Sequence, residues 1–268
     1  MAVRSHIQIP KGVLKQFSET SGRVYYLEVN TCKIGLTSAK KLGTEYGYYS
    51  EEQEKYLNKE IESPLILLAA TVRDFLEQKR QTLTLSVSAE ESLKKYITGA
   101  MARSELSLDA FLSASFTAAF FTPQQNHDQL VYFSTKKNDG VVEIIKDHFL
   151  VLLINKTEKN FVVPRNCFYV TSSHGCECIV APISPKCALC LFPPEYINKV
   201  DASREYRLCY VENSADINKM NQRALMYEYM YNKKFVASAT RDELEELAAF
   251  TNERKQELEE LWKKAHKK

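Results

Sequence analysis

Histidines and carboxylates are the side chains best able to move protons near neutral pH, and three of them stand out in this chain. His6 lies just ahead of Pro10 in a segment that should form an ordered loop. Glu62 falls on a helical turn beside the apolar run Pro64 to Ala70, and burial there would raise its pKa. His174 follows Ser172 and Ser173 on a loop that leaves a strand. Brought together, an imidazole and a carboxylate could do general acid–base work on a phosphodiester or an acyl group. The candidate catalytic residues are therefore His6, Glu62 and His174, with Ser172, Ser173 and Asn58 as binding residues. Each has a structural alternative. His6 could anchor the amino-terminal segment, and Glu62 could pair with Arg103 or Lys59. Ser173 and His174 are sequence neighbours and cannot form a triad-like hydrogen bond without a turn.

The cysteines offer a second chemistry. Cys176 and Cys178 stand at C-x-C spacing, and Cys187 and Cys190 at C-x-x-C. Four thiolates would suit a tetrahedral zinc ion. Against this, Cys178–Ala181 and Cys187–Phe192 read as strands, in which cysteine is a small buried hydrophobe. Cys187 and Cys190, three apart on one strand, would point to opposite faces. The expectation is no cofactor, with zinc on Cys176, Cys178, Cys187 and Cys190 as the alternative.

Composition narrows the function classes. Lys plus Arg number 36 and Asp plus Glu 34, a formal net charge of +2 over 268 residues. That balance does not indicate a nucleic-acid coat or a polybasic membrane binder, although nucleic acid stays open as a partner. The basic spots Lys79-Arg80, Lys136-Lys137 and Lys263 to Lys268 read more simply as solvated helix ends. Seven cysteines, an odd number in a chain of this size, argue against a disulfide framework. The first six residues lack the apolar stretch of a secretory signal, and no apolar run approaches the roughly 20 residues of a membrane span. A cytoplasmic protein without membrane contact is expected. No glycine-rich phosphate loop is present, since the glycines stand alone.

The elements that must position these residues follow from periodicity. Residues 23–36 read as a hairpin around Asn30-Thr31. Ser50-Glu51-Glu52-Gln53 is a capping box opening a helix that Ser63-Pro64 kinks or restarts. Leu65, Leu68, Ala69, Val72 and Phe75 continue it at helical spacing. Further helices are expected from Ser88 to about Arg103, over Leu106–Phe121 as far as Pro123, and from about His127. From Phe149 to Val211 the texture changes to short β-branched and aromatic runs, which read as five or six strands of one mostly antiparallel sheet. Ser214 then caps a helix to Tyr231, and Thr240-Arg241-Asp242-Glu243 caps a last one running to Trp262. Its leucines, Leu244, Leu247, Leu258 and Leu261, fit docking on the same domain or on a dimer partner, so a homodimer is one expectation. Helices, then strands, then helices is the α+β pattern, here in a single domain over 1–268: hairpin 23–36, helical part 51–137, sheet 149–211 and C-terminal helices 214–268.

A resemblance adds to this. His6 to Phe17 is similar to the His-x-x-Pro-x-x-x-Leu-x-x-Phe opening of a largely bacterial family, domain of unknown function 4238, with Ile9 adding one residue between His6 and Pro10. Gly47-Tyr48-Tyr49 resembles its aromatic-Tyr element and Asn58 to Glu62 its Asn-plus-Ile-Glu helix signature. Phe168 to Ser172 resembles the strand into its Thr-Ser-Asp-x-Pro turn, Pro182 to Pro185 its Pro-Leu-Ser-Pro element, and Asn218 or Asn221 ahead of Ala224 its final helix. The chain departs where Ser173, His174 and Gly175 replace Asp and its followers. If that Asp carries chemistry in relatives, this member lacks it or uses His174. The resemblance implies a fold grouping and no settled activity. The function expected is recognition of an unknown ligand or protein partner, in a stress or anti-phage defence setting. The alternative is a metal-independent nuclease or other hydrolase built on a His/Glu pocket.

Overall fold

The computed structural model describes residues 4–6, 9–78, 87–104, 121–135, 145, 147–173, 176–196 and 208–266. The expected helix from Leu106 as far as residue 120, the Lys79-Arg80 and Lys136-Lys137 spots, and His174 with Gly175 lie outside them.

The chain opens with β1 (Arg4–His6), which pairs antiparallel with β4 (Thr44–Tyr46), His6 opposite Thr44. Between them come α1 (Lys11–Gln16), β2 (Arg23–Glu28) and β3 (Lys33–Ser38). β2 and β3 form the expected hairpin, with Cys32 at φ 54° making the turn. The hairpin is part of a larger sheet. β11 (Phe235–Ser238) pairs with β2 on one side and β6 (Val163–Pro164) on the other, giving the order β3-β2-β11-β6. β11, four residues long and buried throughout, gives no alternation to read.

α2 (Glu51–Tyr56) runs into a π-helical turn over Leu57–Glu62 and then α3 (Ser63–Glu77). α4 (Val87–Ala102) and α5 (Pro123–Thr135) complete the helical part, with Pro123 opening α5. The strand region contains β5 (Phe149–Asn155), β7 (Tyr169–Ser173), β8 (Cys176–Ser184), β9 (Cys187–Phe192) and β10 (Leu208–Val211), ordered β10-β5-β9-β8-β7. This is the expected mostly antiparallel sheet of five strands, with β10 parallel to β5 as its one parallel pair, while the run ending at Val163 goes to the hairpin sheet as β6. β5 and β9 are buried along their whole length, and strands buried on both faces are apolar throughout rather than alternating.

α6 (Ser214–Tyr231) is capped by Asn213, whose side chain accepts from the Ala215 N–H, and not by Ser214. The expected last helix is two, α7 (Asp242–Glu253) and α8 (Lys255–Ala265), broken at Arg254. The Thr240 box is also rewired. Glu243 accepts from the Thr240 and Ser238 hydroxyls and from the Asn160 backbone and side-chain amides, so it ties α7 to the loop before β6. Leu244, Leu247 and Leu258 are buried and α8 packs on α6, so these leucines dock within the chain. The architecture is α+β: α6 touches both sheets (β11 and β6, β7 and β10), as does α1 (β2 and β8), around one apolar cluster from Ile9 to Leu258. No helix among the described residues is long and apolar enough to cross a membrane.

Candidate functional site

The π-turn is the local device that builds the site. Pro64 has no N–H to give to an i−4 carbonyl, and its ring crowds the preceding turn. The chain widens ahead of it. Ser63 donates its backbone N–H to the Asn58 carbonyl, five residues back, and its hydroxyl to the same oxygen at 2.7 Å. Single π-turns of this kind recur at functional sites because they re-aim side chains out of α register. Here Glu54 on α2 and Asn58 and Glu62 on the turn share one face, and the Asn58 amide donates to the Glu54 carbonyl at 2.8 Å.

That face looks into a cavity of about 350 Å³ lined by His6, Lys11, Glu51, Glu54, Lys55, Asn58 and Glu62. β1 delivers His6 and α1 opens with Lys11, so the amino-terminal segment forms the opposite wall. Next to His6, the fully buried Ser5 accepts from the Tyr49 N–H and hydrogen-bonds Glu54. The entry to α2 is fixed from afar: Ser50 Oγ accepts from Gln53 N–H as the capping box requires, while the Ser50 N–H is taken by Asp128 of α5 at 3.1 Å and not by Gln53. His127 stacks on Tyr48 at 3.8 Å, and Gln124 donates to the Tyr49 carbonyl. α5 thus holds the loop that carries the cavity's edge.

The electrostatics are those of a buried acid. Burial pushes the Glu62 carboxyl up to about 7, with the Glu54 charge adding to the shift and the charges of Arg103 and Lys11 opposing it. Burial also raises Glu54, offset by its bond to Ser5 and by Arg103. Arg103, just beyond α4 and 3% exposed, donates Nε to the Gly99 carbonyl at 3.1 Å and sits among Tyr49, Tyr96, Cys167 and Glu62. It stays a cation there. Lys59, the other partner considered for Glu62, pairs with Glu60 at the surface.

Of the sequence candidates, His6, Asn58 and Glu62 come together. Ser172 is elsewhere: it is exposed at the end of β7 and lines a different cavity, as do Cys178 and Cys190. His174 and the Ser173 and Cys176 side chains lie outside the described residues. Cys187 is fully buried and does not share the cavity of Cys178 and Cys190, as the alternation along β9 requires. Burial raises the Cys187 thiol, whereas a hydrogen bond with Cys190 lowers Cys178. No three His, Cys, Asp or Glu side chains converge as metal ligands among the described residues. Lys11, Glu51, Glu54 and Lys55 are site residues beyond the sequence candidates. The four-residue repeat Glu54, Asn58, Glu62 was the available signal for one of them.

The residues that meet across this cavity are those of the chain's opening motif and of its Asn-plus-Ile-Glu helix. A family model described as a protein of unknown function, DUF4238, matches residues 6–227. The chain is a DUF4238 protein. The DUF4238 match begins at His6 itself and takes in both walls of the cavity, while α7 and α8 lie beyond it. No curated protein and no solved structure matches this DUF4238 chain.

Proposed function

We propose that this DUF4238 protein is a metal-independent hydrolase whose working centre is the His6–Glu62 cavity, with a nucleic-acid phosphodiester as its substrate. The observation that carries the reading is that His6, from the first strand, and Glu62, from the π-turn, line one cavity. An acid with a pKa near the working pH is present in both protonation states, the condition under which one group both accepts and returns a proton efficiently. In this reading the Glu62 carboxylate takes the proton of the attacking hydroxyl or water, and the His6 imidazole protonates the leaving oxygen. Asn58 orients the substrate and Lys11 offsets its negative charge, while Lys55 is paired with Glu51 at 2.7 Å. We place this activity in the bacterial cytosol, which suits the reduced thiols of all the cysteines described. A nucleic-acid substrate would suit stress or anti-phage defence.

The test is incubation of the protein with RNA and with DNA, with and without chelator, beside His6→Ala and Glu62→Gln. Cleavage that survives chelator and is lost in His6→Ala is expected. Intact substrate under every condition would leave the second reading, recognition of a ligand or partner without catalysis. The replacement of the family's Asp by Ser173 favours that second reading.

A further inference from the structure

A second cavity lies between the five-stranded sheet and α6, and it shares no lining residue with the His6 cavity. Its origin is geometric. α6 packs on β7 and on β10, the two outer strands. It therefore crosses the full width of the sheet, about 19 Å for five strands roughly 4.8 Å apart. A straight rod laid over a twisted sheet rests on the edges and stands off from the middle. The space left beneath is about 870 Å³, within the size range of small-molecule sites.

The floor is apolar: Val151 from β5, Cys190 from β9, and Cys178 and Val180 from β8, all buried, with Met220 of α6 as the roof. The rim is polar, with Glu212, Asp216, Lys219 and Arg223 on it. Asp216 has Lys219 at 3.6 Å, and Glu212 has Lys156 at 3.5 Å. Arg223 is different. Its Nη1 donates to the Thr171 hydroxyl and, at 2.6 Å, to the Ser172 carbonyl, both neutral oxygens. Among the described residues no carboxylate pairs with it, and the remaining guanidinium N–H groups are available for a planar anion. Asn213 also brings the positive end of the α6 dipole to the rim.

We propose that this cavity is a binding site for a small amphiphilic monoanion, a carboxylate on a medium-length apolar body, with the body on the thiol-lined floor and the head on Arg223. The claim is independent of catalysis at His6.

Calorimetric titration of the full chain with decanoate tests it, beside decylammonium and decanol, which keep the tail and change the head. Decanoate should bind with a stoichiometry near one. Arg223→Gln should weaken it about tenfold, the scale of one lost charge-assisted contact. Met220→Trp, which fills the roof, should abolish it, with circular dichroism of both variants matching the parent. Absence of decanoate binding to the parent overturns the proposal. So does equal affinity for decylammonium, or an unchanged affinity in Arg223→Gln. Association with phosphatidylglycerol vesicles in place of free decanoate also overturns it, since that locates the anion preference at a membrane surface.

Discussion

The Ser63 hydroxyl donates to the Asn58 carbonyl at 2.7 Å and spans the π-turn from end to end. That bond, with the missing N–H of Pro64, holds Asn58 and Glu62 on the face that meets His6. A π-turn takes in one residue more than an α-turn, so it rotates the chain beyond it by about 100° relative to α2.

Pro64→Ala restores an N–H and permits an ordinary i−4 bond, so the π-turn should relax toward α. We expect cleavage by the His6 centre to fall at least about tenfold through lost alignment, while the melting temperature moves by only a few degrees. Single-turnover rates and thermal melts on the same preparation check this. An unchanged rate would show that the turn does not aim the site.

Glu62 should make stability fall as pH rises. Its folded pKa is about 7 against 4.5 for the free side chain, so the folded protein holds this proton more tightly. The contribution is complete below about 4.5 and is lost as pH climbs through 7. A shift of this size corresponds to roughly 3 kcal/mol. Glu62→Gln should therefore be about 2–3 kcal/mol more stable than the parent at pH 8 and nearly equal to it at pH 5, read from urea melts at both pH values. The same variant should lose the limb near pH 7 in the pH–rate profile.

Asp128 supplies the long-range half of the α2 cap. Removing its carboxylate in Asp128→Ala leaves the partly buried Ser50 N–H without that acceptor, at a cost of about 1–2 kcal/mol. Chemical denaturation measures it. No loss of stability would mean that water replaces the bond fully.

Asn221 should matter for folding and not for chemistry at His6. It is 4% exposed, accepts from the Val162 N–H at 3.0 Å and donates to the Asn160 carbonyl at 2.8 Å, pinning α6 to the loop before β6. Asn221→Ala strands two backbone groups, each worth about 1–3 kcal/mol. A loss of roughly 2–4 kcal/mol is expected, with the cleavage rate of the folded fraction preserved. Asn218→Ala, at the alternative position of the motif, should cost little.

Signals of short range are legible in the sequence. The β2–β3 turn, the Ser50 cap and the amphipathic repeat from Leu65 to Phe75 each depend on residues a few positions apart, and each is present. The placement of β6, β10 and β11 was not legible. β6 and β11 are two and four residues long and buried throughout, so they carry no periodicity, β10 has only four residues, and the pairing of Phe235 with Glu28 or of Leu208 with Leu152 joins positions far apart in the chain.

Residue types and their short-range spacing carry the α+β class, the proton-active groups His6 and Glu62, and the interruption that Pro64 imposes on the helix. Packing across the chain puts His6 and Glu62 on one cavity and Ser172 on another. It also buries Glu62 within the field of Arg103, and with that sets the proton affinity. The reason is physical: side-chain type is local, whereas desolvation and the field at a carboxylate are sums over neighbours that only packing brings within range.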